Sequence, residues 1–236
     1  MTTEARVGTT APTASLPAWN RRLRRGIGAA GLALGLVFAV SSTTAARPHP
    51  AQGPADAVEQ GASSAVQQLK SWVLATGDNQ GLPFVLIDKV NAHVFAFSRD
   101  GLLLGDAPVL LGLARGDIAP PDIGDRPLSA IGPEDRITPS GRYVAGIGDN
   151  LTGKNVLWID YAGALSLHRV VAGRAADRRL QRLTSPTSED NRISYGCVNV
   201  PPAFFEDIIA PAFRGTTGIV YILPEQSSIA EVFPGA

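Results

Sequence analysis

The chain is poor in the residues that build covalent or metal frameworks. Cys197 is the only cysteine among 236 residues, so no intramolecular disulfide can form. There are three histidines, His49, His93 and His168. They form no Cys/His cluster with ligand spacing, and a zinc site needs about three or four such ligands. No metal site and no other cofactor is expected. No glycine-rich loop precedes a helix in the way a phosphate cradle requires. An excess of positive charge is also missing, since 21 Lys and Arg balance 21 Asp and Glu. A nucleic-acid footprint is basic and clustered, so no nucleic-acid partner is expected.

The charge is unevenly placed. Residues 1–46 hold Arg6, Arg21, Arg22, Arg24 and Arg25 against one acid, Glu4. The rest of the chain therefore has 16 basic and 20 acidic residues, a net of −4. The arginines precede an apolar run from Ile27 to Val40, and small residues follow to Ala46. This order reads as a secretory leader, so 1–46 is expected to be a signal peptide or a signal anchor. The run is shorter than the roughly 20 apolar residues of a bilayer span. Membrane contact is expected only through an uncleaved leader, and the expected location is the periplasm or cell envelope.

Residues 47–55 are Pro-rich and read as a linker. Over 56–76, Val58, Ala62, Val66, Leu69 and Val73 fall at helical spacing, which predicts an amphipathic helix packed on the domain that follows. Gly77 ends it. Residues 77–236 then alternate short β-rich runs with turns. Strands are expected at 84–88, 93–98, 102–104, 109–113, 142–147, 155–159, 164–168 and 218–223. A Pro/Gly/Asp-rich loop spans 115–140, and loops of that length are often functional. A short helix is expected over 175–183. Another should start at Pro202 and be stopped by Pro211. Many short strands with few helices indicate a mostly β fold, a sandwich or a partly open barrel.

A lone cysteine in an exported protein reads either as a reactive thiol or as a small buried hydrophobe. An activated thiol needs a base within reach. His49 falls in the linker and His93 in an early strand. His168 ends the apolar strand Ala164-Leu165-Ser166-Leu167-His168 and is the natural partner for Cys197. Gly196 has no Cβ and lets backbone approach a substrate closely. Its amide and that of Cys197 are candidates for an oxyanion hole.

Ser194-Tyr195-Gly196-Cys197-Val198-Asn199, with a histidine upstream, resembles the signature of the L,D-transpeptidases, the YkuD-type enzymes that cross-link peptidoglycan. Ile87-Asp88-Lys89 resembles the start of that catalytic domain. Thr138-Pro139-Ser140-Gly141-Arg142-Tyr143 resembles its Thr-Pro-x-Gly-aromatic segment. The likeness runs from about Pro83 to Pro224. It departs at Arg169, where the family has glycine, and at Tyr195, where it often has histidine. The interval from His168 to Ser194 is also longer, and the extra residues are rich in arginine. The resemblance implies an L,D-transpeptidase-like domain over 77–236 that acts on peptidoglycan stem peptides. Cys197 would be the nucleophile, His168 the base, and Gly196 part of the oxyanion hole. Ser194, Tyr195, Asn199, Arg192 and Arg169 would bind substrate.

Two other readings stay open. One is a non-catalytic wall-binding or envelope-structural module on the same scaffold, with an inert thiol. The other is a sortase-like transpeptidase using Arg214, although the residues before Cys197 do not match a sortase.

Overall fold

The structure is a computed structural model that describes residues 61–236. The expected leader, the linker with His49, and residues 56–60 of the expected helix lie outside the described residues.

Ser64–Thr76 forms α1, whose first turn is capped by the Ser63 hydroxyl and whose end is closed by Gly77 in the left-handed conformation. Its buried stripe is Val66, Leu69 and Val73. Ten strands follow: β1 Phe84–Asp88, β2 His93–Phe97, β3 Leu103–Pro108, β4 Leu111–Gly112, β5 Gly141–Asp149, β6 Asn155–Asp160, β7 Leu165–Arg169, β8 Arg192–Ser194, β9 Val198–Val200 and β10 Thr217–Ile222. Eight of them make one sheet in the order β3-β2-β1-β10-β5-β6-β7-β9, and β4 pairs with β8 separately. The β1/β10 and β7/β9 pairs are parallel, while the other neighbours in the large sheet are antiparallel.

The sheet curls nearly shut. Leu110, just beyond β3, exchanges both backbone hydrogen bonds with Asn199 of β9, at 2.8 and 2.9 Å. The fold is thus mostly β with few short helices, and of the two expected architectures the barrel is closer.

The central strands are buried on both faces, which explains why β1 reads as a continuous apolar run rather than an alternating one. Val85 and Ile87 point into the main core with Val220 and Ile222 of β10. Phe84 and Leu86 point the other way, with Ile219 and Tyr221, into a second core roofed by α1.

Two expectations about helices need correction. The 175–183 helix is broken: a 3-10 turn at Ala175–Asp177 is followed by α2 at Arg179–Leu183, with Arg178 between them at φ 46°. Pro211 also does not stop the helix that starts at Pro202. Short α segments α3 (Pro202–Phe204) and α4 (Ala210–Ala212) flank a π-helical turn, Phe205–Ile209. The wider turn accommodates a ring that would clash with a regular helix and cannot donate to it. Phe204, Phe205 and Ile209 fill the main core from this helix. A last short helix, α5, spans Ile229–Val232.

Candidate active site

Strand register brings the chemistry together. β7 and β9 run parallel with Leu167 opposite Val198 and His168 opposite Asn199. Side chains alternate along a strand. Leu165, Leu167, Val198 and Val200 therefore face the core, and Ser166, His168, Cys197 and Asn199 share the opposite face. Ser166 Oγ is 3.6 Å from Cys197 Sγ, and the Ala164 carbonyl is 3.5 Å from the same sulfur. His168 Nδ1 is 2.8 Å from the Arg169 carbonyl, and Nε2 is 3.1 Å from Asn199 Nδ2.

The sulfur and the imidazole tune one another. Burial alone would push the Cys197 thiol up. The hydrogen bonding and charge of His168, with the hydroxyl and amide of Ser166, outweigh burial and bring it below the ordinary thiol range. His168 shows the reverse balance. Burial would lower it, but the sulfur and the Arg169 carbonyl carry it above the usual imidazole value, with the Arg179 charge opposing.

The loop that presents Cys197 is shaped by four hydrogen bonds. Ser194 Oγ donates to the Cys197 carbonyl at 2.6 Å and accepts from the Gly196 amide at 3.0 Å. Thr138 Oγ1 donates to the Gly196 carbonyl at 2.7 Å and accepts from the Gly112 amide at 2.8 Å. Gly196 sits at φ 128°, and a Cβ there would come within 2.7 Å of the Ile137 carbonyl oxygen. Glycine is therefore required at this position by both backbone conformation and space. Its amide is already held by Ser194, which corrects the expectation that it helps form an oxyanion hole.

A pocket of about 350 Å³ opens onto Tyr195, Gly196 and Cys197. Its walls come from the 117–123 segment, from Ile137 to Ser140, and from the β6–β7 turn at Ala162 to Ala164. These walls are largely apolar, with Asp117 and Asp160 contributing carboxylates, Ser140 a hydroxyl and Tyr143 a phenol. Burial, helped by the Asp160 charge, pushes the Tyr143 phenol up to about 12, so it stays neutral. The 115–140 segment predicted as a functional loop thus forms one side of this pocket.

The other expected site residues divide clearly. Tyr195 is on the pocket, its ring beneath the Arg136 guanidinium at 4.1 Å. Ser194 shapes the cysteine loop and does not line the pocket. Asn199 is buried behind His168, where it holds the ring instead of meeting a ligand. Arg192 is also buried: Nη2 donates to Glu225 at 2.6 Å and to the Lys89 carbonyl at 2.7 Å. Arg169 bonds Glu206 at 2.5 Å and Asn155, and stacks its guanidinium 3.9 Å from the Phe205 ring centre. Neither arginine lines the pocket, because buried or nearby carboxylates demand their charge. Arg214 is exposed in the turn before β10 and is not a pocket residue.

Sequence reasoning missed Ser166, Lys89 and the effect of Arg179 on the ring. Ser166 was legible in principle, since it stands two residues before His168 on one strand and so shares its face. Among the described residues, no group of three or more His, Cys, Asp or Glu side chains converges as a metal site.

No family model matches the chain, and no curated protein matches it in sequence. Among solved structures, the chain is similar to the catalytic domain of an L,D-transpeptidase from E. faecium, determined by NMR. The two share 17% identity over 59% of this chain and 95% of that one, with a TM-score of 0.33. A superposition that loose transfers no residue role. The chemistry rests on the side chains described above.

Proposed function

We propose that this chain is an exported, cysteine-dependent acyltransferase of the L,D-transpeptidase type, acting on peptidoglycan stem peptides. One observation carries the reading: the Cys197 sulfur shares a strand face with an imidazole fixed on a backbone carbonyl, and opens onto a pocket of about 350 Å³. Asp117 on the pocket is paired with Lys89, and the Asp160 carboxylate, which has no such cation among the described residues, supports a donor residue that bears a free amine.

In this mechanism the Cys197 thiolate attacks the carbonyl joining the third stem residue to a terminal D-alanine. The negative charge moves to the carbonyl oxygen, and the Cys197 amide is the donor we assign to it. Protonated His168 then gives its proton to the departing D-alanine amine, leaving a thioester on Cys197. An incoming amine loses its proton to His168 and takes the acyl group, which restores the thiol pair and forms a cross-link. With water in its place, the same steps trim the stem. Ser166 steadies the sulfur, and the Arg169 carbonyl fixes the ring without any third catalytic side chain.

The test is mass spectrometry of muropeptides incubated with purified protein. Release of D-alanine from tetrapeptide stems is expected, and it should vanish in Cys197→Ala. Turnover that survives this substitution would sink the assignment.

A second reading has one observation in its favour. Asn199 Nδ2 already occupies Nε2, the atom a base would use. On that reading Cys197 is inert and the pocket only binds. Labelling by iodoacetamide separates the two. An activated thiol reacts faster than free cysteine near neutral pH and slows in His168→Ala, whereas an inert one reacts slowly in both.

A further inference from the structure

Each hydrogen bond in the chain running from Arg179 through Asn199 and the His168 ring has only one possible polarity. Arg179 Nη1 lies 3.1 Å from Asn199 Oδ1. A guanidinium can only donate, so the amide oxygen must face it and the amide nitrogen must face the ring. That nitrogen also only donates, so His168 Nε2, 3.1 Å away, is bare. On the other edge of the ring, the Arg169 carbonyl 2.8 Å from Nδ1 can only accept. The ring proton therefore sits on Nδ1. Asn199 is 1% exposed, so its amide cannot turn toward water instead.

We propose that Arg179, in the arginine-rich segment between His168 and Ser194, is a positioning residue that acts through Asn199 to hold His168 as the neutral, Nδ1-protonated base. The inference rests on the reading of His168 as the base for Cys197, and it adds what sets that base's state. Without the guanidinium, the Asn199 amide is free to turn over. Its oxygen then accepts from a protonated Nε2, and the imidazolium is favoured.

The groups facing the ring pull in opposite directions, and Arg179 is the one that favours the neutral form. The Cys197 sulfur, from the β8–β9 loop, favours the imidazolium, as does the Arg169 carbonyl of β7. Arg179, at the start of α2, opposes it by charge as well as through the amide. Asp177 stands 3.6 Å from Arg179 Nε and offsets only part of that charge. Glu206, on the π-helical turn, is engaged by Arg169. The effect is a restraint: less Cys197 is held as thiolate than the imidazole alone would support.

The test reads proton affinity and does not depend on turnover. NMR follows the His168 ring through a pH titration, and iodoacetamide reports Cys197 reactivity at pH 7. In Arg179→Met the ring should titrate about 0.5 to 1 pH unit higher, a roughly three- to tenfold gain in proton affinity. Cys197 should alkylate faster by a similar factor. Arg179→Lys keeps a donor and the charge and should stay near the wild type. Asn199→Asp gives Nε2–H an acceptor directly and should move the ring upward further still. In the wild type, the neutral ring above its titration should be the Nδ1–H form.

An Nε2–H tautomer would overturn the proposal. So would a folded Arg179→Met whose ring titrates unchanged or lower, or equal shifts in the Lys and Met variants. If Arg179→Met does not fold, the wild-type tautomer and the Asn199→Asp titration decide the matter. A protein with these titrations but no D-alanine release would count against the peptidoglycan reading and leave this inference standing.

Discussion

Thr138 and Ser194 between them decide how the Cys197 backbone is presented. Thr138 is fully buried and satisfies one donor and one acceptor, the Gly112 amide and the Gly196 carbonyl. Thr138→Val keeps the shape and removes both bonds, leaving two buried polar groups unpaired. The expected loss is about 2–4 kcal/mol, read from urea denaturation, with slower alkylation of Cys197; Thr138→Ser should recover most of both. Gly196→Ala fails for a different reason, because the new methyl meets backbone at an unfavourable φ. A cost on the order of 2 kcal/mol or more is expected, together with loss of turnover. The thiol pair itself sets a pH window. The lowered thiol contributes its stabilisation only above its own titration, and the raised imidazole only below its own. Both shifts favour the ion pair over the neutral pair, and that advantage fades as acid protonates sulfur or base strips the ring. The pH profile of alkylation should inflect below about 8.5, the free thiol value, and move up toward it in His168→Ala.

Among the elements, the parallel β7–β9 pair does most to create the site. Neither strand is long, and β9 has three residues. Its register is held from both sides, by β7 and by the Leu110 bridge. A slip of one residue would carry Cys197 and Asn199 to the core face. Helix α1 packs over other strands of the sheet, β1, β2 and β10, where Leu69 is fully buried among Phe84, Phe97 and Tyr221. Leu69→Ala should cost about 2–5 kcal/mol. Because that core is built on β1, β2, β3 and β10 and the site on β7 and β9, the alkylation rate of Cys197 in the folded variant should not change. A matching fall in both quantities would show that these parts of the sheet are coupled.

Across the molecule, a buried ionic cluster ties distant segments to the pocket. Lys89 is fully buried and donates to Asp117 at 2.7 Å, to the Gly116 carbonyl at 2.6 Å and to the Thr138 carbonyl at 3.0 Å. Glu225, 1% exposed at its side chain, receives Arg192 and Arg115. Asp117 also accepts the amides of Glu225, Gln226 and Ser227. The C-terminal segment, the pocket wall and the segment at Thr138 are thereby pinned at one point. Lys89→Met leaves Asp117 and Glu225 without their central cation, and about 3–5 kcal/mol of destabilisation is expected. Burial would raise the Asp117 carboxyl, but Lys89 and the three amides hold it well below the usual range. Its contribution is therefore present above about pH 4, the ordinary carboxylate value, and is lost as pH falls from there. Denaturation curves at successively lower pH should show this loss, and Asp117→Asn should flatten that part of the dependence.

Local pattern was enough to determine much of this protein. The positions of β1, β2, β5, β6, β7 and β10, the turn at Gly77, the helical stripe of α1 and the long pocket loop follow from spacing and turn chemistry, which act between near neighbours, whereas the three-residue strands β8 and β9 are too short to leave a pattern. Ser-x-Gly-Cys with an upstream histidine also marked out the thiol. Only the tertiary structure decided what the arginines do. Arg192 and Arg169 look like carboxylate binders in a linear reading, and Arg179 looks like one more surface charge. Their partners are Glu225, Glu206 and Asn199, which lie 33, 37 and 20 residues away in the chain. A guanidinium takes whichever acceptor the fold brings within reach, and no spacing rule records that choice.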